Sequence, residues 1–299
     1  MGVPRALYYF EYHSLWCTFL TGLGFQVTVS PPTNQEILEL GLASCVDGAC
    51  LPIKAFLGHI QFLVRQGLSL LFVPRLVSLF REEYTCPNLL GLPDLVRSYV
   101  PSGVQLLSVE VDARRGRAHL PCTYLRWGLE FADLPTVIQA YRRAQWAQRK
   151  VNTTHWRYGS LPRPSVLLVG PRYLLDDPYL TANIQEKLEQ LGVQVSTASQ
   201  LPDRVTVKAS RFLEKRPFWT ATRRSMGSLQ YWRHHIDGVI SLAPFGCGAE
   251  AMQGVLLAQH LKGRDLPYLE LYLDEHSSPV GLLTRLEAFC DLLERKRSG

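Results

Sequence analysis

The sequence predicts an α/β protein whose parallel β-sheets are covered by helices on both faces. Near-continuous apolar runs of strand length recur along the chain, and segments of helical character separate them. Strands buried on both faces have unbroken apolar sequences, and the helices between them supply the crossovers that parallel strands require. This pattern restarts near residue 165, so we expect two α/β halves of similar length.

Composition is typical of an ordinary soluble globular protein, because 46% of the residues are apolar and 19% are charged. The longest apolar run, LSLLFV at 68–73, has the length of a strand and falls short of a membrane helix. Glu11 and His13 interrupt any signal-peptide pattern at the N-terminus. We therefore expect a cytoplasmic location, where cysteines are reduced, ligating or reactive.

The elements of the first half follow from periodicity and turn residues. The segment FQVTVS at 25–30 alternates with period two, as a half-buried strand does. The PPTN turn then offers Thr33 or Asn34 as a helix N-cap, with Glu36 in the first turn. The predicted elements are an apolar run at 6–10, a helix at 12–23, a strand at 25–30, a helix from 34 to 43, a helix at 51–66 and a strand at 68–75.

The two halves are separated by a change of composition at 142–164. Arginine, glutamine and lysine dominate its start and turn residues its end, which predicts a polar helix followed by a linker. We place the domains at 1–155 and 156–299. The predicted elements of the second half are strands at 165–170, 193–198, 237–242 and 266–273, and helices at 179–191, 222–233, 248–262 and 279–295.

The net charge of +6 is concentrated in four basic runs, at 114–117, 142–150, 211–224 and 295–297. Neither a continuous basic stripe nor a known nucleic-acid docking motif is visible, so nucleic acid is not an expected partner. The runs favour anions such as a CoA-type phosphate or an acidic redox partner. A solvated surface without a function is the alternative for each run.

Four of the seven cysteines lie in loop-like segments rich in glycine and proline: Cys45 and Cys50 in SCVDGACLP, Cys86 in YTCPNLLGLP and Cys247 in PFGCGAE. Thiolates displayed on tight turns are typical ligands of iron–sulfur clusters. Cys86 and Cys247 follow predicted strands and Cys50 opens a predicted helix, which suits the edge at which open α/β sheets bind ligands. The three remaining alternatives are a zinc site, a thiol redox pair and four unrelated buried thiols.

The other three cysteines are weaker candidates for ligands. Cys17 and Cys290 fall inside predicted helices, where they are expected to pack as small apolar residues. Cys122, in LPCTYL, stays open as a spare ligand, a resolving thiol or a buried residue. The sequence contains none of the standard motifs for a serine nucleophile, a phosphate loop, a dinucleotide site or a zinc protease.

Eight segments occur in order along nearly the whole chain: GVPRALYYFEYHSLW, VSPPTN, CVDGACLPIKAFLGHI, FVPRLVS, YTCPNLLGLPD, DPYL, PFGCGAE and LDEHSSPVGLLTRLEAF. Together they resemble the 2-hydroxyacyl-CoA dehydratase/benzoyl-CoA reductase superfamily, in the branch associated with CoA-substrate-specific enzyme activases. The resemblance implies two Rossmann-like (flavodoxin-like) domains that hold an iron–sulfur cluster at their interface. It also implies a separate ATP-hydrolysing, iron–sulfur activase as partner, because the nucleotide signatures of that ATPase are absent here.

On this resemblance, Cys45, Cys50, Cys86 and Cys247 are the expected ligands of an oxygen-sensitive [4Fe-4S] cluster. The cysteine count favours one such cluster, and a double-cubane [8Fe-9S] cluster or a contribution from a second chain in a homodimer stays open. The expected function is acceptance of low-potential electrons followed by reduction of a small substrate, in a reductase or dehydratase-like component. A non-catalytic electron carrier or cluster-delivery protein, and a zinc-stabilised binding protein, are the alternatives; no membrane partner is expected.

Overall fold

The computed structural model describes residues 1–114, 116, 119–152 and 164–298 of the chain. The predicted linker after Asn152, with the domain boundary between 155 and 156, lies outside the described residues. The chain forms two compact units. The first comprises Met1–Ala49, Ile53–Thr154 and Phe218–Thr220, and the second comprises Cys50–Pro52, His155–Pro217 and Ala221–Gly299.

The first half of the chain contains two parallel sheets and the helices that connect their strands. A four-stranded sheet has the order β2-β1-β3-β5, and β4 pairs with β6 in a two-stranded sheet. The elements are β1 (Gly2–Val3), α1 (Tyr9–Gly22), β2 (Thr28–Val29), α2 (Gln35–Ser44), α3 (Leu51–Arg65), β3 (Leu70–Phe72), β4 (Arg75–Ser78), α4 (Pro87–Leu90), α5 (Leu92–Arg97), β5 (Gln105–Leu107), β6 (Glu110–Asp112), α6 (His119–Gly128) and α7 (Leu134–Asn152).

The second half has one four-stranded parallel sheet of order β10-β9-β7-β8. Strands β7 and β9 are central and almost wholly buried, as their unbroken apolar sequences predict. The elements are β7 (Ser165–Val169), α8 (Arg172–Leu175), α9 (Ile184–Gln190), β8 (Gln194–Thr197), α10 (Asp203–Ala209), α11 (Thr220–Trp232), β9 (Gly238–Pro244), α12 (Gly248–Leu261), β10 (Tyr268–Leu273) and α13 (Pro279–Ser298), with short 3-10 helices at Ala198–Gln200 and Ser210–Phe212.

The predicted fold class, α/β with parallel Rossmann-like sheets, is confirmed. Within the described residues, all pairings between the named strands are parallel. Each main sheet also runs second-first-third-fourth in chain order, since β2-β1-β3-β5 and β8-β7-β9-β10 follow the same scheme. In such a sheet the strand order reverses between the first and third strands, which are neighbours. Ligands bind outside the carboxyl ends of the strands at that point.

The predicted position of the first element at the N-terminus is wrong. The first strand is Gly2–Val3, and the apolar run at 6–10 instead forms a turn and the start of α1. Leu7 has a φ of 52°, and the amide of Tyr9 donates to the carbonyl of Ala6. The aromatic side chains at this end therefore belong to a helix, which removes them from the sheet.

Helix α7 is longer than the predicted polar segment and packs closely against α1. A Cβ atom on Gly22 would lie 2.6 Å from the Cβ of Ala140, so this glycine lets the two helices approach. The side-chain amide of Gln148 accepts from the amide of Leu15 at 3.1 Å and donates to the carbonyl of Glu11 at 2.8 Å. One face of α7 is thus fixed to α1 along its length.

None of the helices in the described ranges is both long enough and apolar enough to cross a membrane.

Candidate functional site

Cys45 and Cys50 bracket the short connection between α2 and α3. Cys45 is the C-terminal cap of α2 in an extended backbone conformation, with φ −110° and ψ 154°. The amide of Ala49 donates to the carbonyl of Val46 at 3.0 Å and closes a tight turn between the two thiols. Cys50 directly precedes Leu51, the first residue of α3. The C-x₄-C motif is therefore a helix–turn–helix connection with one thiol at each helix end.

Two glycines fix the crossing of α2 and α3. A Cβ atom on Gly41 would lie 1.9 Å from the carbonyl oxygen of Lys54, and one on Gly58 would lie 1.9 Å from that of Ile37. Both distances are far below van der Waals contact, and both obstacles are main-chain atoms. The backbones of the two helices therefore touch directly, and this close approach determines where the connection that carries Cys45 begins.

His59 ties α3 to the loop that follows β2. Its Nδ1 lies 2.8 Å from Ser30 Oγ and its Nε2 lies 3.1 Å from Thr33 Oγ1. Ser30 Oγ also accepts a hydrogen bond from the amide of Arg5 at 2.8 Å. A neutral imidazole satisfies both contacts by donating through one nitrogen and accepting through the other. Burial, with a smaller effect from Arg5, lowers the pKa of His59 to about 3. We infer that His59 has a structural role.

The neutral state of His59 predicts that the contribution of this residue to stability falls in acid. Because the folded pKa of about 3 lies below the ordinary value of 6.5, only the unfolded chain takes up this proton between those two values. The contribution of His59 to stability is therefore greatest above pH 6.5 and falls as the pH decreases toward 3. We expect the free energy of unfolding to fall by about 2 kcal/mol between pH 7 and pH 5 through this group.

Urea unfolding of the wild type and His59→Gln at both pH values measures this effect. The variant has no imidazole, so the free energy of unfolding of the wild type, taken relative to that of the variant, should fall by about 2 kcal/mol between pH 7 and pH 5. An equal pH dependence in the two proteins would contradict the assignment of a buried neutral histidine.

Cys86 precedes α4, and the loop before it is held by hydrogen bonds within the first unit. The amide of Thr85 donates to the carbonyl of Val77 at 3.1 Å, and its hydroxyl donates to the carbonyl of Leu76. The amide of Tyr84 donates to the carbonyl of Phe218 at 2.8 Å, and their rings stack 4.6 Å apart. The backbone on the N-terminal side of Cys86 is thereby fixed.

Cys247 lies at the point in the second sheet where the strand order reverses. It follows β9, which neighbours β7 in the sheet, and it is the N-terminal cap of α12. Gly246 has a φ of 75°, a conformation that other residues rarely adopt. Because the strand ends in this glycine turn, the thiol stands at the carboxyl edge of the sheet and at the positive end of a 14-residue helix.

Glu250, in the first turn of α12, is 2% exposed and its pKa is raised by burial to about 8. Its Oε2 accepts a hydrogen bond from Gln253 Nε2 at 2.9 Å. At neutral pH this carboxyl is consequently protonated. The segment PFGCGAE places an acid three residues after Cys247, a position where glutamate is usually exposed, so the sequence offered no signal that it is buried.

The corresponding position in the first sheet contains a small apolar cavity. Apolar side chains at the ends of β1 and β3 and just after them, among them Val3, Pro4, Phe72 and Pro74, line a cavity of about 10 Å³. That volume is roughly enough for one water molecule, and its lining is apolar.

The four candidate thiols share partial burial and a position at a helix end. Cys45 and Cys86 group with the first unit, and Cys50 and Cys247 with the second. Among the described residues, which include every cysteine, there is no disulfide and no group of three or more His, Cys, Asp or Glu side chains gathered as a metal site.

The remaining cysteines differ from these four in their surroundings. Cys290 is 5% exposed in α13, and burial raises its pKa to about 11. Cys17 lies in α1, where burial also raises its pKa. Cys122 is exposed on α6. A raised pKa disfavours the thiolate that binds metals, so Cys17 and Cys290 are poor ligands.

A basic side chain that the sequence placed in a surface run is buried. Arg223, in α11, is 1% exposed; it donates to Thr206 Oγ1 at 2.7 Å and to Asp203 Oδ1 at 3.2 Å. Arg224 donates to both oxygens of Asp203, at 2.8 and 3.1 Å. The two arginines thus join α11 to α10 and act as structural groups, which the charge pattern alone did not indicate.

Fold and site together define an α/β protein with parallel sheets in which four cysteines stand at helix ends. Within that class, the family can be named. Residues 1–201 match the model of the CoA enzyme activase uncharacterised domain (DUF2229), and the chain belongs to this family. The resemblance to the branch associated with CoA-substrate enzyme activases is thereby confirmed. The matched residues include Cys45, Cys50 and Cys86, and Cys247 lies beyond them. The curated proteins contain no match to the chain.

Proposed function

We propose that this protein is an iron–sulfur component of an activase-dependent system that acts on CoA thioesters. Its role is to accept low-potential electrons from an ATP-hydrolysing activase and to reduce a small substrate. Cys45, Cys50, Cys86 and Cys247 hold a [4Fe-4S] cluster, which supplies the one-electron chemistry when it is bound. The observation that carries the proposal is the placement of these four thiols at helix ends in a chain that belongs to an activase-related family.

The chemistry of the donor set supports this assignment. Cys50 and Cys247 precede helices of 15 and 14 residues, whose N-terminal ends favour a thiolate and an anionic cluster. None of the four is fully buried, so each can be reached during cluster insertion. Cys17 and Cys290 have raised pKa values and are left out of the set.

Spacing favours a cluster over structural zinc. Structural zinc sites usually take their cysteines from closely spaced pairs that staple a local segment. Here the connection between Cys45 and Cys50 is one short pair, and Cys86 and Cys247 follow much further along the chain. Ligands drawn from distant parts of a chain suit a functional centre better than a local staple.

Metal content under anaerobic conditions tests the proposal directly. We expect brown protein with a broad absorbance near 400 nm and about four irons per chain. Colourless protein with stoichiometric zinc would exclude both redox functions. About eight irons per chain would instead support the double-cubane cluster.

Single Cys→Ser variants assign the ligands. Replacement of Cys45, Cys50, Cys86 or Cys247 should lower iron content to well below half of the wild-type value, because each removes one thiolate. Cys122→Ser is the matched control, since this exposed thiol lies on a helix surface and its loss should leave iron unchanged. Full iron content in Cys247→Ser would show that the second unit supplies no ligand through that residue.

Substrate titration separates an enzyme from an electron carrier. The reduced protein is mixed with acyl-CoA thioesters and with small unsaturated compounds while the cluster spectrum is followed. Reoxidation or a spectral shift with one of them supports a reductase or dehydratase-like activity. An unchanged spectrum with all of them would support the non-catalytic carrier.

A further inference from the structure

Helix α7 presents a row of exposed side chains in which apolar and cationic groups alternate. Residues four apart are neighbours on a helix surface, so positions 134, 138, 142, 146 and 150 form a continuous ridge that winds around the helix by about 40° at each step. We call this row the α7 ridge; its members are Leu134, Ile138, Arg142, Trp146 and Lys150, and all five are exposed. The ridge extends for about 24 Å along the helix.

The apolar members of the α7 ridge are unusually open to solvent. Leu134, Ile138 and Trp146 are 52%, 39% and 61% exposed. Single exposed apolar side chains are common on protein surfaces, but a shared row forms the kind of ridge that packs into the groove of another helix. Helix α7 is fixed to α1 through Gln148, so the ridge is held on a rigid element.

The charge of the helix is of one sign. Within α7 the charged residues are Arg142, Arg143, Arg149 and Lys150, and no acidic residue interrupts them. The nearest acids, Glu130 and Asp133, lie in the segment before the helix begins. The cationic part of α7 is thus its C-terminal half, which surrounds Trp146.

Trp146 is held in place on the ridge. The Nζ atom of Lys150 lies 3.6 Å from the centre of the indole ring, in a cation–π arrangement between residues four apart. A ring that is already ordered loses less conformational entropy when a partner covers it. Large, rigid aromatic side chains flanked by arginine are also the residues that most often dominate binding energy at interfaces.

We propose that the α7 ridge is a docking surface for an acidic polypeptide segment whose apolar side chains line one face of a helix. Carboxylates of the partner pair with the cations of α7, and its apolar row covers Leu134, Ile138 and Trp146. Such complementarity raises the association rate and makes binding depend on salt. The surface does not involve the four cysteines, so the proposal is independent of the iron–sulfur function.

Two other classes of partner fit the ridge less well. Nucleic acid is bound mainly through its phosphates, a mode that would leave Leu134 and Ile138 in water. An interfacial helix buries a wide apolar face in lipid and carries its cations at the borders. In α7 the wide apolar face is already packed inside the protein, and Arg142 stands in the middle of the exposed row.

The test uses the full chain and a fluorescein-labelled synthetic helical peptide with leucines on one face and glutamates beside them. Fluorescence anisotropy is measured at low and high ionic strength. We expect saturable binding that weakens with salt, and a loss of affinity of about tenfold in Trp146→Ser and in Arg142→Glu. Val280→Ser and Arg295→Glu, at exposed sites elsewhere, are the matched controls and should bind as the wild type does.

Further probes decide between the partner classes. A peptide of the same composition with its leucines scattered should bind at least about tenfold more weakly than the amphipathic one. Equal binding of both peptides, no binding of either, or equal affinity in the ridge and control variants would overturn the proposal. Binding of duplex DNA or of phosphatidylglycerol vesicles that is tighter than peptide binding and is lost in Trp146→Ser would also overturn it, in favour of that partner. Iron content is measured on the same samples, so failure here leaves the cluster assignment unaffected.

Discussion

Gly58→Ala should destabilise the protein by about 3 kcal/mol or more, although alanine normally stabilises a helix. The added methyl group would stand 1.9 Å from the carbonyl oxygen of Ile37 and 2.9 Å from its carbonyl carbon. Both atoms belong to the main chain of α2, so no rotation of a side chain relieves the clash. The two helices have to move apart, and apolar contacts between them are lost.

Chemical unfolding of Gly58→Ala, compared with Gly281→Ala, measures this effect. Gly281 is exposed in α13 and its nearest neighbour, the Cβ of Ser278, would lie 3.9 Å from an added Cβ. The same substitution should therefore be neutral there, or stabilising by up to about 1 kcal/mol. Equal effects at the two positions would show that helix propensity dominates and that the α2–α3 crossing tolerates expansion.

Gly58→Ala should also affect the candidate site. Helices α2 and α3 end and begin at the connection that carries Cys45 and Cys50, so separating them displaces the two thiols. On the proposed function, Gly58→Ala that still folds should hold less iron than Gly281→Ala. Gly41→Ala should behave like Gly58→Ala, because its Cβ would meet the carbonyl of Lys54 at the same distance of 1.9 Å.

The second half of the chain was largely predictable from its sequence, and the reason is physical. Strands β7 and β9 are buried on both faces, so their apolar runs mark the element bounds to within two residues. Helix α12 begins at Gly248, as the turn residues before it indicate. In these elements local pattern and tertiary burial favour the same structure.

Other features depend on contacts between distant residues, which a single sequence does not display. The glycines at 41 and 58 resemble ordinary weak points in helices until the crossing of α2 and α3 is known. Arg223 belongs to a basic run that is typical of solvated surface, yet Asp203 and Thr206 bind it in the interior. Four cysteines were selected by their turn residues, and in the structure they lie at helix ends; their role as ligands stays a prediction.

The buried carboxyl of Glu250 leads to the second large effect. Glu250→Gln should raise the free energy of unfolding by about 3 kcal/mol at pH 7. The folded pKa of about 8 lies above the ordinary value of 4.5, so the folded protein keeps a proton that the unfolded chain releases. Stability through this group is therefore fully present below pH 4.5 and is lost as the pH rises toward 8. Glutamine is permanently neutral, and its side-chain oxygen can accept the hydrogen bond from Gln253.

The stability difference between Glu250→Gln and the wild type should depend on pH, and this dependence identifies the titration of Glu250 as its cause. Urea unfolding of both proteins should give nearly equal stabilities at pH 4, where Glu250 is protonated in the folded and unfolded states alike. The difference in the free energy of unfolding between Glu250→Gln and the wild type should then widen by about 1.4 kcal/mol per pH unit up to pH 8. Glu287→Gln, on the exposed face of α13, is the control and should show no such widening. A gap of constant size from pH 4 to pH 8 would instead indicate a packing effect, because a change in shape does not titrate.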